Sequence, residues 1–153
     1  MKKISEVGSL LKKIYRVYSQ ALLRDLQEKG FLDLRPSFLE ILIYLCEYEA
    51  SSIKEIGEAC GLKKQTMTSH LNELEKRGYI IRRPGQKDKR ELQVHLTAYG
   101  EKFKFALIEV TSILEQDYTE TLGEVEFDRV LMTLENFYTK IESKNESQQI
   151  LDI

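Results

Sequence analysis

The sequence predicts a mainly α fold with one small β-hairpin, and three observations carry that prediction. Apolar residues recur at three- and four-residue spacing along most of the chain. Strict alternation is confined to one short stretch, where Leu92, Val94 and Leu96 are separated by Gln93 and His95. Gly30, Gly61, Gly78 and Gly123 fall where the helical patterns break. With 153 residues, 42% of them hydrophobic and 31% charged, the chain fits a single domain, 1–153, able to bury a core.

In chain order, Ile4, Val7, Leu10, Leu11, Ile14, Val17, Tyr18, Leu22 and Leu26 form one face of a long amphipathic helix ending near Gly30. Pro36 suits a first helical turn, where an N–H would lack a partner anyway, and opens a second helix through Phe38, Ile41, Leu42, Leu45 and Tyr48. Leu39 and Ile43 make that helix apolar on more than one face, which marks a central buried element. Ser52 and Glu55 fit the S-x-x-E capping box, in which each side chain satisfies a free amide, and a short helix follows over Ile53 to Cys60.

Gly61 supplies a tight turn into a helix running from about Lys63 to Arg77, closed by Gly78. Met67, Leu71 and Leu74 share one face, so at about 3.6 residues per turn Gln65, Ser69, Asn72 and Lys76 lie roughly opposite. Tyr79 to Arg83 reads as a strand, Pro84-Gly85 as the start of a turn, and Glu91 to Leu96 as the returning strand. The tip, Gln86 to Arg90, lies beyond the packed half of this ribbon. Thr97 caps a long helix to about Leu122 carrying Phe103, Leu107, Val110 and Leu114. After Gly123 a last helix carries Phe127, Val130, Leu131, Leu134, Phe137, Tyr138 and Ile141. Helix, tight turn, helix and basic ribbon make a winged helix-turn-helix, the order in which a small domain builds a DNA reader.

Charge supports that reading. The whole chain has 23 Lys and Arg against 25 Asp and Glu, a net of -2. Between Lys63 and Lys104, eleven positive residues face five negative ones, a net of +6, which leaves 12 against 20, or -8, for the remainder. Such segregation suits a surface that meets phosphates, and double-stranded DNA is the expected partner.

Several classes are set aside. Met1-Lys2-Lys3 begins like a signal peptide, but Glu6, Lys12, Lys13 and Arg16 interrupt any apolar core, and no run reaches spanning length. A cytoplasmic protein without a membrane partner is expected. Cys46 and Cys60 lie inside apolar helical patterns, so core packing is their expected role; a redox switch needs an accessible, electropositive thiol. His70 and His95 have no ligand-spaced companions, so neither metal nor cofactor is expected. His70 is expected at DNA or the helix flank, and His95 on the strand surface. No Gly-rich phosphate loop, nucleophile–base pair or distinct carboxylate pair argues for catalysis, so no catalytic residues are assigned.

The terminal helices pose a packing problem. A 25-residue helix is about 37 Å long, more than a small winged-helix core can cover. Pairing with the same helices of a second chain would bury the exposed stripes and set two reading heads on one duplex, so a homodimer is expected.

Asp88-Lys89-Arg90 followed by Leu96-Thr97-Ala98-Tyr99-Gly100 resembles the D-x-R wing and L-T-x-x-G helix entry of the MarR (multiple antibiotic resistance regulator) winged helix-turn-helix family. Leu71, Leu74, Glu75, Gly78 and Tyr79-Ile80 are similar to the end of that family's recognition helix. The resemblance covers essentially the whole chain in helix order. It implies dimerisation helices at 1–32 and 124–153, a winged helix-turn-helix at 36–97 and a connecting helix at 97–122. It implies that Lys63, Lys64, Gln65, Thr66, Thr68, Ser69 and His70 enter the major groove, and that Arg90 reaches the minor groove or its phosphates. Asp88 would hold the wing through Arg77 or Arg90.

The residues themselves agree on geometry: Gln65, Thr66 and Ser69 offer hydrogen bonds to base edges, while Lys64, Arg83, Lys87 and Lys89 suit phosphates. The resemblance further implies a small aromatic or anionic effector, for which Tyr15, Tyr18, Phe38 and Tyr44 are candidate pocket residues beside a plain core role. The combined expectation is an effector-responsive repressor that binds a pseudo-palindromic operator. The rival from another class is a winged-helix protein-interaction module without specific DNA recognition, and salt dependence separates the two.

Overall fold

The computed structural model describes the backbone from Met1 to Leu151 and side chains as far as Glu146, so residues 152 and 153 of the expected 124–153 element lie outside the described residues. The order is α1 (Lys3–Glu28), α2 (Pro36–Glu47), β1 (Ser51–Ser52), α3 (Ile53–Cys60), α4 (Lys64–Lys76), β2 (Ile80–Pro84), β3 (Leu92–Leu96), α5 (Ala98–Leu122) and α6 (Glu124–Leu151). Two compact units result, Met1–Thr111 and the chain from Ser112 onward.

In the first unit, α2 is central: Phe38, Leu39, Ile41, Leu42 and Leu45 are all buried. Around it gather Leu22 and Leu26 of α1, Ile56 of α3, Met67, Leu71 and Leu74 of α4, Val94 of β3 and Phe103 of α5. The capping box at α3 forms in full, with the Glu55 amide donating to Ser52 Oγ at 3.1 Å and the Ser52 amide to Glu55 Oε1 at 3.2 Å.

The sheet departs from the expected two-stranded ribbon. It has three antiparallel strands in the order β1-β3-β2, with Ser51 opposite Val94 and Ser52 opposite Gln93. Ala50 adopts a left-handed φ of 64°, which turns the chain from α2 into β1. The hairpin boundaries also shift. Pro84 ends β2, paired with Leu92, instead of opening the turn, and Glu91 lies in the turn instead of the strand.

Thr97 and Gly100 explain the helix-entry motif physically. The Thr97 amide donates to the Tyr79 carbonyl at 3.1 Å, its hydroxyl donates to the Gly78 carbonyl, and the Gly100 amide donates to Thr97 Oγ1 at 3.0 Å. One threonine thereby caps α5 and ties it to the end of α4. A Cβ at Gly100 would collide with the Tyr79 carbonyl and lie 3.0 Å from Leu96 Cδ2.

In the second unit, the last turns of α5 and the whole of α6 meet at Gly123, whose φ of 85° reverses the chain. Tyr118 and Phe127 touch across that turn, ring centroids 6.4 Å apart. Val130, Leu131, Leu134, Phe137, Tyr138 and Ile141 of α6 are all exposed. So are Ile4, Leu10, Leu11, Ile14 and Val17 of α1, where the stripe is buried only from Leu22 onward.

Gly100→Ala should therefore destabilise the fold by about 1–3 kcal/mol despite the better helix propensity of alanine, because overpacking against backbone is not relieved by rotamer change. Chemical denaturation of the two proteins measures this.

Candidate nucleic-acid interface

α4 presents its polar face as the apolar spacing requires. Lys63, the extended N-cap residue, and Lys64, Gln65, Thr66, Thr68 and Ser69 are exposed, while Met67, Leu71 and Leu74 are buried. The Thr68 hydroxyl donates to the Lys64 carbonyl at 2.9 Å, which leaves its lone pairs outward as acceptors. His70 is half-buried, its ring edge-on to Phe38 at 5.1 Å.

Phe38, 2% exposed, supports more than His70. The Arg77 guanidinium lies 5.0 Å from its ring centroid and that of Arg35 lies 5.6 Å away. Arg77 also donates to the Asp33 carbonyl and pairs with Glu73 at 3.5 Å. Asp33 in turn accepts the Tyr79 hydroxyl at 2.8 Å, so the loop between α1 and α2 is fastened to the end of α4. Burial and this bond push the Tyr79 phenol above its usual value and keep it a donor.

The wing is braced internally. The Gly85 amide donates to the Glu91 carbonyl at 2.7 Å and the Glu91 amide to the Asp88 carbonyl at 3.1 Å. A Cβ at Gly85 would come within 2.8 Å of the Asp88 carbonyl oxygen. Of the two arginines open to Asp88, it takes Arg90, accepting the backbone amide at 3.0 Å and Nε at 3.3 Å. Even so paired, the Arg90 side chain is 93% exposed. Arg83, Lys87 and Lys89 are exposed, and among the described residues none is held by a carboxylate. His95 lies half-buried on β3.

Arg82, a cation of the basic segment, has a structural task. Its guanidinium donates to Glu75 Oε2 and Asn72 Oδ1, both at 2.8 Å, and its amide donates to Glu75 Oε1 at 3.3 Å. This clamp locks the ribbon's first strand to α4 and engages the amide oxygen of Asn72, which stays exposed. Opposite charges flanking the Gly78 turn were its signal in the sequence.

The four candidate pocket aromatics come from α1 and α2. Tyr15 and Tyr18 form one pair at 6.4 Å, with the Tyr15 hydroxyl donating to Glu40 at 2.9 Å. Phe38 sits beneath His70, Arg35 and Arg77, and Tyr44 packs on Tyr48 at 4.9 Å. The Tyr15 pair thus presents ring surface beside a carboxylate. Both cysteines are free thiols. Burial, opposed by Lys104, pushes Cys46 up to about 11, and burial raises Cys60 as well, so both are protonated at neutral pH.

Comparison with known proteins agrees with this geometry. The family model described as MarR family matches residues 39–91, from α2 through the wing. The HTH-type transcriptional regulator SarZ of Staphylococcus aureus (strain USA300) is 30% identical over 130 residues, covering 84% of this chain and 81% of the relative. The chain belongs to the MarR family. As a MarR-family winged-helix regulator of transcription it shares its fold with a MarR regulator from Methanosarcina mazei Go1, at a TM-score of 0.77 and 16% identity over 91% of this chain and 98% of that one. Reduced AbfR bound to DNA is 25% identical, with a TM-score of 0.64, over 90% of this chain and 93% of that one. Among the described residues, no helix is long and apolar enough to cross a membrane.

The clamp has a pH signature. Arg82 hydrogen bonds hold the Glu75 carboxyl below its ordinary value near 4.5. Its contribution to stability is complete above that value and is lost as pH falls through the lower, folded one. Unfolding curves measured from pH 6 to pH 3 should fall less steeply for Glu75→Gln than for the natural protein.

Proposed function

We propose that the protein is a cytoplasmic homodimeric repressor that binds a pseudo-palindromic operator in double-stranded DNA. The observation that carries this reading is the pairing of two surfaces: an α4 face whose Gln65, Thr66 and Ser69 side chains make no internal hydrogen bonds among the described residues, and a braced wing that projects cations. In this reading Lys63 to His70 enters the major groove, with Gln65, Thr66 and Ser69 at base edges. Lys64, Arg83, Lys87 and Lys89 meet phosphates, and Arg90 reaches the minor groove. The DNA-bound state of AbfR supports the choice of partner.

The exposed apolar stripes of α1 and α6 support the dimer, since single-chain proteins rarely leave so many large apolar side chains in water. Two-fold pairing would set the two α4 helices on half-sites about one helical turn apart. A small aromatic or anionic effector would lower operator affinity by no more than its differential affinity for the two head spacings.

Selection of genomic fragments, followed by fluorescence anisotropy in a salt series, tests the reading. An inverted repeat should bind far more tightly than scrambled duplex, and transcription from a promoter overlapping it should fall when protein is added. Ser69→Ala should change the preferred sequence more than the bulk affinity, whereas Arg90→Ala should weaken all duplexes. Leu134→Glu should shift sedimentation from dimer to monomer and abolish tight operator binding. A natural protein that sediments as a monomer at micromolar concentration would contradict the dimer.

A further inference from the structure

We propose that Arg35, which belongs to neither the α4 face nor the wing, is a third DNA contact: a guanidinium pre-set to bind a backbone phosphate at the rim of the groove that α4 enters. The inference rests on the DNA-binding reading above.

Arg35 is the N-cap residue of α2, with extended backbone at φ -117° and ψ 155°, and Pro36 follows it. A residue before proline is held to that region by the proline ring, so the direction in which the side chain leaves the backbone is set by sequence. The side chain then lies across Phe38, whose ring is fixed in the core. An arginine stacked on a ring keeps its N–H donors free at the guanidinium edge, the geometry that suits a phosphate.

Position follows from the same ring. Phe38 links Arg35 to His70 by two steps, 5.6 Å and 5.1 Å. The Arg35 guanidinium is thus no more than about 11 Å from the His70 ring, so α4 seated in a major groove about 12 Å across would bring this exposed cation within reach of a flanking phosphate.

Charge completes the case. Arg77 approaches the same ring but is already engaged by Glu73 and the Asp33 carbonyl, whereas no carboxylate among the described residues pairs with Arg35. Two guanidinium groups beside one buried ring repel each other, and an anion bound at the exposed one relieves that repulsion.

The test is the slope of log affinity against log salt for the natural protein, Arg35→Ala, Arg35→Lys and Arg90→Ala, on the selected operator and on scrambled duplex. Arg35→Ala should flatten the slope by about 0.9 for each of the two heads, about 1.8 for the dimer, and weaken both duplexes by a similar factor, on the order of tenfold per head, without changing the melting temperature. Arg35→Lys should restore the slope. An Arg35→Ala slope equal to that of the natural protein, with Arg90→Ala flattened, would overturn the Arg35 assignment and leave the α4 and wing reading intact. Loss confined to the operator would also overturn it, since a base contact and not a phosphate contact would be implied. A natural protein that binds neither duplex in a salt-dependent way would overturn the DNA reading and this inference together.

Discussion

The crossing of α5 over the end of α4 is the constraint on which the reading head depends. Within a few residues the recognition helix stops at Gly78, the ribbon begins at Tyr79 and returns at Leu96, and α5 sets out from Thr97. Four backbone groups converge there, and the Thr97 side chain and amide satisfy the carbonyls of Gly78 and Tyr79 while its oxygen receives Gly100. The contact works only because Gly100 has no Cβ. Beneath it, the Tyr79 ring packs against Phe31, Tyr99 and Phe103 at 4.8 to 6.4 Å and its hydroxyl reaches Asp33. The angle between wing and helix is thereby fixed by covalent proximity and buried hydrogen bonds, which cost more to break than exposed ones.

This rigidity changes how the basic segment should be read. Its net of +6 counts every cation alike, yet the structure assigns them to two tasks. Arg82 and Arg77 are engaged by Glu75 and Glu73 and hold the scaffold, and Arg90 is oriented by Asp88. Lys63, Lys64, Arg83, Lys87 and Lys89 project without carboxylate partners among the described residues. A wing tip ordered by Asp88 before contact loses less side-chain and loop entropy on binding than a free loop would. The acidic residues inside the basic segment are thus part of its preorganisation and not a dilution of it.

Most of the helical architecture was legible because local rules and burial agree there. The capping box at Ser52 and Glu55, the Gly61 turn, the α4 faces and the Gly123 break each follow from short-range chemistry that tertiary contacts reinforce. β1 was not legible: two residues have no period, and Ala50 lacks the usual signal of a left-handed turn. Pro84 was misread for a related reason. Proline opens turns as often as it closes an edge strand, and only the pairing with Leu92 distinguishes the two. At the interface, residue types announced the exposed face of α4 and the wing tip. The ring of Phe38, which joins neighbouring Arg35 to His70 and Arg77 of the α4 stretch, is a tertiary fact with no local pattern linking the two stretches. The same limit applies to the aromatics of α1 and α2, whose helical spacing is visible in the sequence but whose neighbours, Glu40 for Tyr15 and Tyr48 for Tyr44, are not all local.

The terminal helices connect folding to function in the proposed dimer. A helix as polar on one side and as uncovered on the other as α6 gains little from propensity alone, since most helix stability in proteins comes from packing the apolar face. Covering Leu134, Phe137 and Ile141 with a second chain would supply that packing, and the stability of this part would then depend on protein concentration. The first unit carries its own core and does not share that dependence to the same degree. In the proposed dimer, a ligand that repacks the terminal helices would act on DNA affinity through the spacing of the two heads and need not touch the reading surface. Such a division would leave α4 and its wing fixed by their own contacts and place the adjustable element in the terminal helices, whose apolar side chains the single chain leaves exposed.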